Sequence, residues 1–297
     1  MKRYSNRLAA PFLVAAMLFL GSMLSANAQD LAEIRERGVL RHLGIPYARF
    51  VTGNGDGLDV EIIQLFAQHI GVRYEFVSSE WNRLFPDLLG QTTAAGQHPV
   101  RGDLIATGLT ILPGRKKLID FSVSTFPSAV WLTARAASKV KPIKPSGDLA
   151  TDIRETKARM KEGSTLVSEN SCIDPRNYDL QDKGYHLVYF DSRANLILND
   201  VIPAMLKGES EMALLDVPDL IVGMEKWPGQ IKVIGPISEA QEMGVGFRKS
   251  SPALRDAFNE FFVGLRKDGT YMKLVDKYFR AAPRYFPAFF KQREGGH

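Results

Sequence analysis

Apolar and polar positions alternate along this chain in two rhythms, one of strands and one of helices. Residues 39–45 (VLRHLGI) form an apolar run of strand character. In residues 59–70 that follow, Val60, Ile63, Phe66, Ala67 and Ile70 share one helical face. Between them, residues 53–57 (GNGDG) are a turn cluster whose glycines and asparagine tolerate positive φ. Residues 73–79 read as a strand, 81–89 as a short helix and 103–108 as a third strand. After the proline-spaced basic segment 139–145 (KVKPIKP) the alternation restarts. Helices are predicted over 148–160, 193–206 and 219–226, and strands over 164–168, 186–190, 211–216 and 231–237. A strand at 243–248 and helices at 252–266 and 269–279 complete the pattern. Two βα blocks predict two α/β lobes with mixed, mainly parallel sheets, helices on both faces and ligand-facing edges beyond the strands' carboxyl ends.

The N-terminus changes the picture of composition. Lys2, Arg3 and Arg7 precede an almost continuous apolar stretch over 11–24, and Ala26-Asn27-Ala28 follows with small residues for cleavage. This is the pattern of a signal peptide cut after Ala28, which directs the mature protein to the periplasm. Without those three basic residues the net charge falls from +5 to +2, so the high isoelectric point does not argue for nucleic acid. A single cysteine, Cys172, excludes an internal disulfide, and stability must come from packing.

Chemistry concentrates at residues 105–122 (IATGLTILPGRKKLIDFS), where a strand end rich in hydroxyl and glycine runs into Arg115-Lys116-Lys117. The chain carries no phosphate-loop motif, and its five histidines form no metal-ligand pair. No G-x-S-x-G nucleophile turn occurs, and the pairing of Cys172 with His186 stays open as a distant alternative to a buried structural thiol. The segment then reads as a clamp for a small carboxylate, with no cofactor, no metal and no catalytic residue expected.

The chain resembles the family 3 extracellular solute-binding proteins, periplasmic receptors of polar amino-acid importers. The resemblance rests on "DLAEIRERGVLR", "GDGLDVEIIQLFAQHIGVRYEFV", "EWNRLFPDLL", "GDLIATGLTILPGRKKLIDFS" and "DGTYMKLVDKYF", in the family's order. It implies a two-lobed type II binding-protein fold with crossovers near 126–135 and 238–247. After a signal peptide over 1–28, lobe 1 would comprise 29–133 plus 242–297, and lobe 2 would be 134–241. It further implies that Arg115 takes a ligand carboxylate, with Thr107, Gly108 and Thr110 beside it. Tyr47 and Trp81 would wall the ligand, and Asp216 would take its amine, although Asp216 also stands where it caps the next helix. In lobe 2, Asn170-Ser171-Cys172 stands where the family has a glycine followed by small hydroxyl residues, so that Ser171 would keep the backbone contact and Cys172 would replace a hydroxyl. The implied protein is a monomer that binds an amino acid or related carboxylate and serves an ABC permease. The alternatives are a dehydratase-like enzyme on the same fold, with Glu169 or Glu242 as candidate acids, and a ligand-dependent sensor or accessory subunit. The loop over 90–102 reads as a surface insertion, and the aromatic tail from Arg284 onward as packed back on lobe 1.

Overall fold

The computed structural model describes residues 30–93, 96–190 and 198–291. The signal segment, the first part of the helix predicted over 193–206 and the last six residues of the tail lie outside the described residues. In chain order the strands are β1 (Val39–Gly44), β2 (Arg73–Ser78), β3 (Gln91–Thr93), β4 (Gly96–His98), β5 (Leu104–Ile105), β6 (Asp120–Phe121) and β7 (Phe126–Ser128). They continue with β8 (Val130–Arg135), β9 (Ser164–Val167), β10 (His186–Tyr189), β11 (Met212–Asp216), β12 (Ile231–Pro236), β13 (Gln241–Met243) and β14 (Gly246–Phe247).

Two five-stranded sheets result, ordered β2-β1-β5-β14-β6 and β10-β9-β11-β8-β12. In the first, β1 pairs parallel with β2 and β5, while β14 runs antiparallel to β5 and β6. In the second, β10, β9 and β11 are parallel, and β8 enters antiparallel between β11 and β12. The chain crosses between lobes twice, and the crossing segments pair with each other as β7 against β13.

Sheet membership corrects the expected lobe limits. All of β8 lies in the second sheet, so lobe 2 begins at Val130 and not beyond residue 133. The strand predicted over 243–248 is two short strands, one in the hinge and one in lobe 1. Gly244 separates them and gives its N–H to the Leu109 carbonyl at 3.0 Å.

Lobe 1 is discontinuous because its apolar face needs the end of the chain. The helix Leu58–His69 presents Phe66 edge-on to Phe258 of the helix Pro252–Lys267, with ring centroids 5.3 Å apart. Phe262, Tyr271 and Phe279 are buried in the same core. Deleting such a ring typically costs about 3–5 kcal/mol, so the C-terminal helices are integral to lobe 1. The tail reaches further than lobe 1 alone. Phe290 packs on Phe126 of the hinge strand, and Tyr285 meets Trp131 of β8 at 6.0 Å. The insertion over 90–102 carries the β3–β4 hairpin and is held by Arg101 to Asp87 at 2.8 Å. No described helix is long and apolar enough to cross a membrane.

Candidate ligand-binding site

The carboxyl end of β5 opens into a loop fixed from below. Thr107 Oγ1 donates to the Ile45 carbonyl at 2.7 Å and accepts from the Ile45 N–H at 3.3 Å. Its hydroxyl is therefore spent on holding the loop against β1. Gly108 gives its N–H to Asp59 Oδ2 at 2.7 Å, so this backbone donor is engaged too. Its φ is 62°, and an added Cβ would lie 2.4 Å from the Phe50 ring, so both conformation and space demand glycine. Burial raises the Asp59 carboxyl to about 7, and the Gly108 hydrogen bond pulls against that rise.

Beyond the glycine the loop runs along the second crossover, through a bridge between Thr110 and Met243 and a 2.8 Å bond from Ile111 N–H to the Glu242 carbonyl. Pro113 then starts a short helix, Pro113–Lys116, which turns Arg115 inward and leaves Lys116 and Lys117 exposed. Arg115 is only 6 % exposed. Its Nη1 donates to the Thr110 carbonyl at 2.9 Å, and its guanidinium lies 5.4 Å from the Trp81 ring centroid. Burial lowers its pKa from the usual value. Arg115 Nη2 and Thr110 Oγ1 are buried and find no hydrogen-bond partner among the described residues. Together they offer a planar charged donor beside a hydroxyl, a combination suited to a carboxylate.

Lobe 2 supplies the opposite polarity. Asp216 ends β11 and caps the helix Val217–Lys226, its Oδ1 accepting the Asp219 N–H at 3.1 Å. Tyr47 is buried in a lobe 1 turn and hydrogen-bonds the Asp216 carboxylate across the cleft. The Cys172 thiol lies 3.7 Å from Asp216 Oδ2. Burial raises the Asp216 carboxyl to about 6, and these hydrogen bonds limit the rise. Burial also pushes the Cys172 thiol well up, reinforced by the Asp216 charge and opposed by Arg115. Ser171 is buried in the preceding turn, where its hydroxyl donates to the Ser168 carbonyl at 2.7 Å. Two further contacts hold the lobes together, Ala48 N–H to Asn199 Oδ1 at 2.8 Å and Arg49 to Glu225 at 2.5 Å.

The structure thus brings Tyr47, Trp81, Thr110, Arg115, Cys172 and Asp216 around one interlobe cleft. The Thr107 and Ser171 hydroxyls and the Gly108 N–H are instead engaged within the fold. The family model for bacterial extracellular solute-binding proteins, family 3, matches residues 44–281. The chain belongs to that family. It is 26 % identical over 285 residues to the L-cystine-binding protein TcyJ of Escherichia coli, covering 91 % of this chain and 94 % of that one. It is 24 % identical over 279 residues to membrane-bound lytic murein transglycosylase F of Vibrio cholerae, spanning 89 % of this chain but 48 % of the relative. Among solved structures, a mutant of ArgBP from T. maritima superposes with a TM-score of 0.66 at 24 % identity, covering 84 % of this chain and 99 % of that one.

Three cleft residues of this family 3 protein escape a reading of the sequence. Tyr178 lies within electrostatic reach of Arg115, Cys172 and Asp216, and donates its hydroxyl to the Cys172 carbonyl. Gln241, on hinge strand β13, donates to Tyr178 at 3.3 Å, while its Oε1 is buried and finds no partner among the described residues. Asp219 follows Asp216 on the capped helix. A D-x-x-D spacing at a helix start is the one sequence signal for it, and that spacing reads equally as plain capping. Among the described residues no group of three His, Cys, Asp or Glu is placed to hold a metal ion.

Proposed function

We propose that this chain captures a small amino acid or a related carboxylate between its lobes and delivers it to an ABC importer. The observation that carries the reading is the pair of opposed poles, Arg115 Nη2 with Thr110 Oγ1 on one lobe and Asp216 on the other. A zwitterion matches both. Its carboxylate supplies the acceptors that Arg115 and Thr110 lack within the chain, and its ammonium supplies a counter-charge to a buried aspartate. The Trp81 ring lies against the guanidinium, and Tyr47 reaches Asp216 from lobe 1. Relatives named for cystine and arginine support an amino-acid ligand.

Binding followed by hinge closure needs no chemistry. The raised Cys172 thiol stays protonated, and His42 is a buried imidazole bonded to the Ala106 carbonyl at 2.6 Å and to Tyr74 at 2.9 Å. The chain acts in this proposal as a periplasmic monomer, released from its signal peptide after Ala28. A calorimetric screen of amino acids and organic acids tests the reading. One or more ligands should bind, and Arg115→Ala should weaken them about 100-fold, the expected effect of removing a charged partner of a buried group. An unchanged affinity in that variant would refute the assignment. Turnover of prephenate or arogenate by the purified protein would instead establish an enzyme.

A further inference from the structure

The tail that follows the family match makes a contact across the hinge. The match ends at residue 281, and the short helices Ala282–Tyr285 and Pro287–Lys291 come after it. Their base belongs to lobe 1. Ala282 is buried in the lobe 1 core, and Phe286 and Phe290 pack against that core. The Arg266 guanidinium of lobe 1 lies 5.0 Å from the Phe289 ring centroid. The tail therefore moves with lobe 1.

Two of its rings reach beyond that lobe. Phe290 lies edge-on to Phe126, with 5.8 Å between centroids, and Phe126 starts the crossover strand β7. Tyr285 lies edge-on to Trp131 at 6.0 Å. Trp131 belongs to lobe 2, because its strand β8 is paired on both sides, with β11 and with β12. Its ring is half-buried and packs against the cores of both lobes. The cleft is shut in this arrangement, since Tyr47 of lobe 1 bonds Asp216 of lobe 2. The Tyr285–Trp131 pair thus joins two bodies that rotate about the short crossovers Phe126–Ser128 and Gln241–Met243.

Opening bends the crossover under Phe290 and turns Trp131 away from Tyr285, which exposes apolar ring surface to water. Resting on the capture-and-closure reading above, we infer that the tail is a strap across the hinge that prolongs the closed state. Tyr285 is its positioning residue, acting through Trp131 and not on the ligand. Association starts from the open protein and does not use the contact. Release must break it, so the effect falls on dissociation.

Stopped-flow kinetics on the mature chain test the inference, with the standard L-amino acids and L-cystine as probes. For each probe that binds, Tyr285→Ala should release it about 2- to 10-fold faster, the worth of one aromatic pair, with little change in association. Phe289→Ala removes a tail ring that faces Arg266 within lobe 1, and should release at the wild-type rate. Tyr285 is 38 % exposed, so its truncation leaves the fold standing. A lower melting temperature with an unchanged release rate would make the tail a plain stabilising element and overturn the strap. Slower release would overturn it too, as would equal acceleration by Phe289→Ala. If no probe binds the wild-type protein, the capture reading fails, and small-angle scattering of the unliganded proteins decides the strap separately. A larger radius of gyration in Tyr285→Ala than in wild type then supports it, and an equal one overturns it.

Discussion

Strand β5 has charged clusters at both of its ends, and they are built to opposite plans. Ahead of it, Asp103 is fully buried and saturated within the chain. It accepts from Arg37 at 2.6 Å, from the Arg41 N–H at 2.8 Å and from the Arg41 guanidinium at 2.9 Å, with Arg248 at 3.8 Å. Arg248 in turn donates to the Leu88 and Gly102 carbonyls. After the strand, Arg115 and Asp216 are just as buried, yet they belong to different lobes and are not paired with each other. The first cluster ties the N-terminal strand, the 90–102 insertion and the C-terminal part of lobe 1 into one body. The second keeps its charges apart across a cleft. Burial of charge is common to both, and only the pairing distinguishes a structural cluster from a recognition site.

Removing the carboxylate at each end should separate the two plans. Asp103→Asn leaves three arginines facing a neutral amide, one of them buried, and should cost about 3–5 kcal/mol of stability by urea unfolding. Asp216→Asn should act in the other direction. Asparagine keeps the helix cap, and a buried carboxyl raised from 3.8 to about 6 costs on the order of 3 kcal/mol once ionised. The wild-type folded state binds this proton more tightly than the unfolded chain, so wild type loses stability as pH rises from about 4 through 6. The unliganded variant should therefore gain on wild type across that window, reach its full advantage above it, and show none below about 4. A loss of stability at every pH would place Asp216 with Asp103 as a structural acid.

How far the sequence showed this division depends on how local each interaction is. The apolar periods at 59–70, 211–216 and 252–266 reappear as helix, strand and helix, because burial of one face is encoded within a few residues. The inward turn of Arg115 was legible only through the resemblance of the surrounding motif, since Arg115-Lys116-Lys117 taken alone reads as an exposed basic run. The strand expected over 103–108 is only Leu104–Ile105, because the Thr107 hydroxyl and the positive φ of Gly108 turn the chain off the sheet. The Asp103 cluster was not legible, since Arg37 and Arg248 come to it from distant parts of the chain. Tyr178, Gln241 and Asp219 were hidden for a related reason: each looks like ordinary turn, crossover or cap residue until the lobes are set face to face.

The smallest effect sharpens the comparison at its boundary. Arg49 and Glu225 join the two lobes as directly as Tyr47 and Asp216 do, but their side chains are 34 % and 44 % exposed. Water and salt screen such a pair, so it contributes about 0.2–1 kcal/mol to the closed arrangement. Glu225→Ala removes the pair and leaves Arg49 bonded to the Tyr278 carbonyl within lobe 1. Ligand affinity should fall by less than about fivefold, mainly through faster dissociation. The difference from wild type should vanish in 1 M salt, where the screening length is about 3 Å. A loss beyond tenfold that persists in salt would show that an exposed latch, and not the buried poles of the cleft, decides when the lobes stay shut.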